Sequence, residues 1–136
     1  MEYSDPVDVL LAEDDEFDAE LTIAALHRVA PQRTVLRVLD GAEALQFIFR
    51  QGPFANRSEA LPKLILLDLD MPRAGGLEVL RQLRDHTPTK ELPVAILTAS
   101  LKQSDFFQTQ EMGVWEYLIK PVTTQALMDL VSQIGL

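Results

Sequence analysis

Short aliphatic stretches alternate with longer amphipathic stretches along most of this chain. The short stretches have the length and composition of buried β-strands, and a segment with helical spacing follows each of them. This alternation predicts a (βα)5 domain of the α/β class, with a parallel sheet covered by helices on both faces. The predicted strands cover residues 7–12, 34–39, 64–67, 94–97 and 115–119.

The third predicted strand is an unbroken aliphatic run that leads into acidic residues. Residues 64–67 are followed by Asp68 and Asp70, and prolines stand at positions 62 and 72. Such a run is typical of a central strand that is buried on both faces. A carboxylate at its end lies at the carboxyl edge of the sheet, where open α/β folds bind ligands. Asp68 alone is equally compatible with the start of a polar loop.

Polar residues also follow the other predicted strands. Because parallel strands end at one edge, these side chains are expected to collect there. Clustered carboxylates repel each other unless a cation neutralises them, and oxygen ligands favour Mg²⁺ or Mn²⁺ over zinc. A carboxylate such as Asp68 can accept a phosphoryl group, and a lysine and a hydroxyl can hold its oxygens. The residues at this edge are Glu13, Asp14, Asp15, Asp68, Asp70, Thr98, Ser100 and Lys120.

Length, charge and composition restrict the function further. The chain has 136 residues, enough for one compact domain, and a net charge of −9, which disfavours nucleic-acid and anionic-membrane partners. It has no cysteine, which excludes disulfides, thiolate zinc sites and cysteine nucleophiles. No signal peptide and no apolar run of roughly 20 residues is present, so a cytoplasmic protein is expected.

The motifs at these strand ends resemble those of the receiver domains of two-component response regulators. They are Leu-Leu-Ala-Glu-Asp-Asp at 10–15, Leu-Leu-Asp-Leu-Asp-Met-Pro at 66–72, Leu-Thr-Ala-Ser at 97–100 and Tyr-Leu-Ile-Lys-Pro at 117–121. The resemblance covers nearly the whole chain. It implies a flavodoxin-like sheet of order 2-1-3-4-5 and a single receiver domain over residues 1–136 without an output domain.

The resemblance also implies roles for these residues. Asp68 would accept the phosphoryl group from the phosphohistidine of a sensor histidine kinase. Glu13, Asp14 and Asp68, with the backbone carbonyl of Asp70, would hold Mg²⁺, for which Mn²⁺ can substitute. Asp15 is expected to begin a helix.

The last two motifs would carry the phosphoryl contacts and the switch. Thr98 and Lys120 would bind phosphoryl oxygens, and the peptide bond between Lys120 and Pro121 would be cis. Thr98 and Tyr117 resemble the family's switch pair, which relays phosphorylation to the face made by the fourth helix, fifth strand and last helix. A downstream protein would bind through this altered surface.

Two features depart from the commonest receiver pattern. The loop at 52–62 resembles that of stand-alone response regulators that pair with bacterial phytochromes and related kinases. No basic residue follows Lys120, which disfavours a homodimer held by ion pairs across the last helix. An apolar contact on the face of the fourth helix, fifth strand and last helix is expected instead. The residues predicted for it are Trp115, Val122, Leu127 and Leu130.

The resemblance implies a phosphorylation-switched protein, which is not an enzyme in the ordinary sense, and two alternatives to this function remain. The first is an adaptor with a receiver fold that needs no phosphorylation. Asp68-Leu69-Asp70 also resembles the Asp-x-Asp motif of haloacid-dehalogenase-type phosphatases. Pro72 stands where those enzymes usually have threonine or valine, and the chain is short for that family.

Overall fold

The computed structural model describes residues 6–71, 73–99 and 108–136, and in these ranges five strands form one parallel sheet. The strands are β1 (Val9–Ala12), β2 (Val35–Val38), β3 (Leu64–Asp68), β4 (Val94–Thr98) and β5 (Glu116–Ile119). Their order in the sheet is β2-β1-β3-β4-β5. The predicted α/β class and the 2-1-3-4-5 order are therefore confirmed.

Helices connect the strands and cover both faces of the sheet. They are α1 (Glu16–Val29), α2 (Gly41–Ile48), α3 (Gly76–Asp85) and a C-terminal helix (Thr124–Ile134), with short 3₁₀ turns at Gly52–Phe54 and Thr87–Thr89. The predicted fourth helix lies mainly outside the described residues. Residues 108–110 are the part of it that is described, and they are helical. Over the described part of the chain, no helix combines the length and apolar character that a membrane span requires.

Side-chain caps begin three of these helices. Asp15 accepts a hydrogen bond from the backbone N–H of Asp18 at 2.8 Å, as expected for a residue that starts α1. Asp40 caps α2 by accepting from the N–H of Glu43 at 2.8 Å. Thr123 caps the C-terminal helix. Because each cap satisfies an otherwise unpaired N–H, the local sequence determines where these helices start.

The core has two halves, one on each face of β3. Ile65 and Leu67 pack into the half covered by α2 and α3. Leu64 and Leu66 pack into the other half, which α1 and the C-terminal helix cover. All residues of β3 are buried, so the strand that ends in Asp68 is held rigidly between two layers.

The face of α1 that packs against the sheet does not carry its largest apolar side chain. Phe17 and Leu21 are exposed, whereas Ala19 and Leu26 are buried. Two residues along a helix correspond to roughly 200° of rotation, so residues 17 and 21 lie almost opposite residue 19. The small side chain of Ala19 allows α1 to approach the sheet closely, and the aromatic ring of Phe17 faces solvent.

The loop that follows α2 is organised around a buried arginine. Arg57 Nε donates to the carbonyl of Phe47 at 2.5 Å, and its Nη2 donates to that of Ile48 at 2.9 Å. Its Nη1 donates to the carbonyls of Ser58 and Ala60. The guanidinium also lies over the Phe47 ring, 4.2 Å from its centroid. Arg57 therefore joins the end of α2 to the loop.

Candidate functional site

The carboxyl ends of four strands meet at one edge of the sheet. Glu13 and Asp14 follow β1, Asp68 ends β3, Thr98 ends β4 and Lys120 follows β5. Because neighbouring strands are parallel and in register, their ends lie level with one another. The structure thus places these five residues, of the eight that the strand pattern had grouped, at one edge of the sheet.

Three carboxylates at this edge form a compact oxygen cluster. Glu13, Asp14 and Asp68 each offer one oxygen, and these atoms lie within 4.8 Å of one another. Glu13 and Asp68 are buried, whereas Asp14 is exposed. The buried Oε1 atom of Glu13 lies 2.7 Å from the ammonium group of Lys120. An all-oxygen donor set of three clustered carboxylates suits a hard divalent cation such as Mg²⁺ or Mn²⁺.

Lys120 is the cation of the described site. Its Nζ atom lies 2.7 Å from Glu13 Oε1 as an ion pair and donates to Asp68 Oδ2 at 2.9 Å. Burial alone would lower the pKa of Lys120, but hydrogen bonds to Glu13 and Asp68 outweigh burial and raise it. Lys120 is therefore charged at neutral pH. The peptide bond from Lys120 to Pro121 is cis, as the family resemblance implied.

Glu13 is the carboxylate whose protonation is most strongly altered. Its pKa is raised from 4.5 to about 7, chiefly by burial and also by the neighbouring Asp68, although Lys120 opposes the shift. The cause is the cost of a charge that has lost its water. A cation bound at the cluster would favour the charged form of Glu13.

Asp18 is a fourth acid at the site, and sequence reasoning missed it. Its Oδ2 atom accepts a hydrogen bond from Lys120 Nζ at 3.4 Å. Asp18 lies in the first turn of α1, which begins directly after the acids that follow β1. This closeness along the chain was the available signal.

Arg37 fixes the backbone between β1 and α1. Its Nε donates to the carbonyl of Glu13 at 3.0 Å, and its Nη2 donates to the carbonyl of Asp14 at 3.2 Å. This side chain crosses from β2 to hold the segment that carries two acids of the cluster.

The segment after β3 is packed tightly around the end of the strand. The N–H of Asp70 donates to Asp68 Oδ1 at 3.0 Å, and the N–H of Gly76 donates to the carbonyl of Leu69 at 3.2 Å. The side chain of Asp70 is exposed. A Cβ atom on Gly76 would lie 2.4 Å from the Asp68 carbonyl oxygen, so a glycine is required where α3 begins.

An ion pair joins this segment to α2. Arg73, at a positive φ of 67°, donates from Nε to Asp40 Oδ2 at 2.7 Å and from Nη2 to Oδ1 at 3.1 Å. The hydrogen bond from Arg73 lowers the pKa of Asp40. The two residues are 33 positions apart, so sequence reasoning had no local signal for their contact. Pro72 lies outside the described residues.

The residues of the expected switch lie on β4 and β5. Thr98 is buried, and its carbonyl accepts a hydrogen bond from the N–H of Lys120 at 2.8 Å. Tyr117 is half-buried, and its hydroxyl oxygen lies 2.6 Å from that of the buried Thr109. Sequence reasoning did not include Thr109. Ser100 lies outside the described residues.

Part of the predicted interface is not available at the surface. Leu127 and Leu130 are buried in the core half that contains α1, because they form the sheet-facing stripe of the C-terminal helix. The expectation that they contact another chain is therefore corrected. Trp115 is 46% exposed and its indole N–H donates to Gln133 at 3.0 Å, and Val122 is half-buried.

Comparison with known families identifies the type of domain that this site belongs to. Residues 9–132 match the model of the response regulator receiver domain. The response regulator Rcp1 of Synechocystis sp. is 32% identical over 133 residues, which cover 98% of this chain and 89% of Rcp1. A crystal structure of Rcp1 in its Mn²⁺-bound form superposes with a TM-score of 0.78 at 32% identity, covering 96% of this chain and 92% of that one.

Two further solved structures are similar over most of their length. The bacteriophytochrome response regulator RtBRR is 42% identical with a TM-score of 0.87, covering 96% of this chain and 78% of that one. The phosphorylated cyanobacterial phytochrome response regulator RcpA is 32% identical with a TM-score of 0.79, covering 95% and 91%. The resemblance to phytochrome-associated regulators that the 52–62 loop indicated is therefore confirmed.

Proposed function

The chain belongs to the response regulator receiver domain family, and from this premise we propose that Asp68 accepts a phosphoryl group from a sensor histidine kinase. The observation that carries this proposal is the contact of 2.9 Å between Asp68 and Lys120 beside the carboxylates of Glu13 and Asp14. A nucleophilic carboxylate, a cation for phosphoryl oxygens and an oxygen cluster for a metal ion are the components that phosphoryl transfer to aspartate requires.

The reaction is a displacement at phosphorus. An oxygen of Asp68 forms a P–O bond while the P–N bond to the kinase histidine breaks, and the electron pair leaves with the imidazole, which takes a proton from water. Glu13, Asp14 and Asp68, with the Asp70 carbonyl, would hold Mg²⁺ or Mn²⁺, which would neutralise charge on the phosphoryl oxygens. Lys120 would bind one of these oxygens.

The signal would pass from this protein to a downstream protein that binds it. Once Asp68 is phosphorylated, the Thr98 hydroxyl is expected to bind a phosphoryl oxygen and Tyr117 to change position, which alters the surface around β5. A downstream protein would bind one form of this surface better than the other, which is the condition for a switch. The proposed output is therefore a change in affinity for this protein.

The proposed phosphoryl donor is a bacterial phytochrome kinase acting in the cytoplasm. The support is the similarity to RtBRR and RcpA, whose descriptions name bacteriophytochrome and phytochrome response regulators. A phosphotransfer assay against a panel of histidine kinases tests this point. Faster transfer from a phytochrome kinase than from the other kinases is expected, and equal transfer from all of them would contradict it.

Intact-mass measurement tests the central proposal. The protein is incubated with acetyl phosphate and Mg²⁺, and we expect a gain of one phosphoryl group. Asp68→Asn should show no gain, whereas the exposed Asp85→Asn, which removes the same charge far from the site, should behave as the wild type. No gain by the wild type at any Mg²⁺ concentration would overturn the proposal and favour the phosphorylation-independent adaptor.

Two further variants separate the metal from the phosphoryl contacts. Asp14→Asn should weaken Mg²⁺ binding, because it removes one of the clustered carboxylates. Lys120→Ala should leave Mg²⁺ binding largely intact and impair phosphorylation, because the ammonium binds the phosphoryl group and not the metal. Isothermal titration with Mg²⁺ measures the first property and intact mass the second. The reverse pattern would contradict these roles.

A further inference from the structure

Three carboxylate oxygens surround the ammonium group of Lys120. They are Glu13 Oε1 at 2.7 Å, Asp68 Oδ2 at 2.9 Å and Asp18 Oδ2 at 3.4 Å. An ammonium group has three N–H donors and no acceptor. A phosphoryl oxygen that binds Lys120 must therefore take the position of one of these carboxylate oxygens.

The three carboxylates differ in how easily they can lose the contact. The Glu13 side chain is 0% exposed, and separating it from Lys120 would leave a buried charge without its cation, which is costly. Asp68 is the proposed acceptor and stays beside the phosphoryl group that it carries. Asp18 makes the longest contact and its side chain is 33% exposed, so water can hydrate it at small cost.

We propose that Asp18 is a positioning residue that holds Lys120 while Asp68 is unmodified and gives up this contact to the incoming phosphoryl oxygen. This inference rests on the proposed phosphorylation of Asp68. Asp18 competes with the phosphoryl group for the same ammonium of Lys120. It therefore slows phosphorylation.

The backbone of Asp18 is fixed in the first turn of α1, so only its side chain has to move when the phosphoryl group binds. The backbone N–H of Asp18 is held by the Asp15 cap at 2.8 Å. The first turn of α1 is thus fixed, and the carboxylate needs only a side-chain rotation to leave Lys120. A neutral side chain of the same shape removes the competition and leaves the cap in place.

The test compares rates of phosphoryl gain from phosphoramidate in the presence of Mg²⁺, followed by intact mass. We expect Asp18→Asn to gain the group about two- to fivefold faster than the wild type, the range that a partly exposed ion pair allows. Asp18→Glu, which restores a carboxylate, should return the rate towards the wild-type value. Glu20→Gln, which removes one exposed charge from the same helix, should leave the rate unchanged.

A second pair of variants tests whether the effect acts through Lys120. In an Lys120→Ala background, the Asp18→Asn substitution should no longer change the rate, because the ammonium over which the groups compete is absent. A persistent acceleration in that background would overturn the positioning role. A purely structural effect of residue 18 would not depend on residue 120.

The outcomes distinguish this inference from the function on which it rests. If the wild type gains no phosphoryl group, the proposed function fails and the inference fails with it. If the wild type gains one group but Asp18→Asn gains it at the same rate, only the role of Asp18 is overturned. An equal acceleration by Glu20→Gln would also overturn it, because the effect would then be one of total charge.

Discussion

The hydroxyl oxygens of Thr109 and Tyr117 lie 2.6 Å apart, so a hydrogen bond joins β5 to the helical residues that precede it. Thr109 is completely buried, and Tyr117 packs at the edge of the core half that contains α2 and α3. This bond holds the aromatic ring that the family resemblance assigns to the switch. Any movement of Tyr117 must break it or carry Thr109 along.

Removing this hydrogen bond should destabilise the protein, and the effects of substituting the two residues should not be additive. Thr109→Val keeps the shape of the side chain and loses the hydroxyl, and we expect a loss of about 1 kcal/mol in the free energy of unfolding. Tyr117→Phe should have a similar effect. Urea denaturation of the double variant should show less than the sum of the two losses, whereas full additivity would mean that the bond contributes nothing.

Gly76 is expected to tolerate no side chain. A Cβ atom there would lie 2.4 Å from the Asp68 carbonyl oxygen and 2.7 Å from Leu69 Cα, and both of these are backbone atoms that cannot rotate away. Gly76→Ala should therefore lower the free energy of unfolding by about 1–3 kcal/mol, as overpacking does.

The neighbouring glycine supplies the control for this prediction. Gly75 has a φ of −70°, and a Cβ atom there would lie 3.7 Å from the nearest atom, the Leu69 carbonyl oxygen. Gly75→Ala should lower the free energy of unfolding by about 1 kcal/mol or less, because alanine is a poorer N-cap than glycine. Equal effects of the two substitutions in urea denaturation would show that the close approach to Asp68 is not what requires Gly76.

The ion pair between Asp40 and Arg73 should make the free energy of unfolding depend on pH in the acidic range. The hydrogen bond from Arg73 holds the pKa of Asp40 below its ordinary value of 3.8, so the unfolded chain binds this proton more tightly than the folded protein. The stabilisation is therefore fully present well above pH 3.8 and is lost as the pH falls through the lower pKa of the folded state.

Arg73→Met removes this pair and keeps a long side chain at the position with positive φ. Its urea midpoint should be lower than that of the wild type at pH 7, and the difference should shrink as the pH is lowered below 3.8. When Glu43→Gln is added to both the wild type and Arg73→Met, the pH-dependent difference between the two proteins should remain, because Glu43→Gln leaves the Asp40–Arg73 pair unchanged. A difference that is the same at every pH would exclude the ion pair as its cause.

Arg57 should be irreplaceable by lysine. Its guanidinium donates to the carbonyl oxygens of Phe47, Ile48, Ser58 and Ala60 from fixed directions, and a lysine ammonium cannot reproduce this fork. Arg57→Lys should cost about 3 kcal/mol in the free energy of unfolding, because buried carbonyl groups lose their partners.

Arg50→Lys is the matched control for Arg57→Lys. Arg50 is half exposed and lies 3.8 Å from Glu59 in an ion pair at the surface. This substitution should change stability by less than about 0.5 kcal/mol. Urea denaturation measures both variants, and similar losses would mean that the buried contacts of Arg57 are not what stabilises the loop.

The sequence alone determined the alternation of strands and helices and the edge at which the functional side chains meet, and the family resemblance implied the strand order. Aliphatic runs as short as residues 64–67 predict buried strands, and Asp15 and Thr123 carry their capping signal within three positions of the N–H groups that they bind. The parallel arrangement then places Asp68 and Lys120 at one edge, since every strand of such a sheet ends on the same side. These are consequences of local pattern and of one rule of topology.

Only the tertiary structure decided which partners these residues have. The contacts from Lys120 to Asp18 and from Arg73 to Asp40 join residues 102 and 33 positions apart. The exposure of Phe17 likewise depended on how α1 turns its small residues towards the sheet. Such contacts arise from the register of strands and the rotation of helices, which many distant residues set together. No short stretch of sequence contains that information.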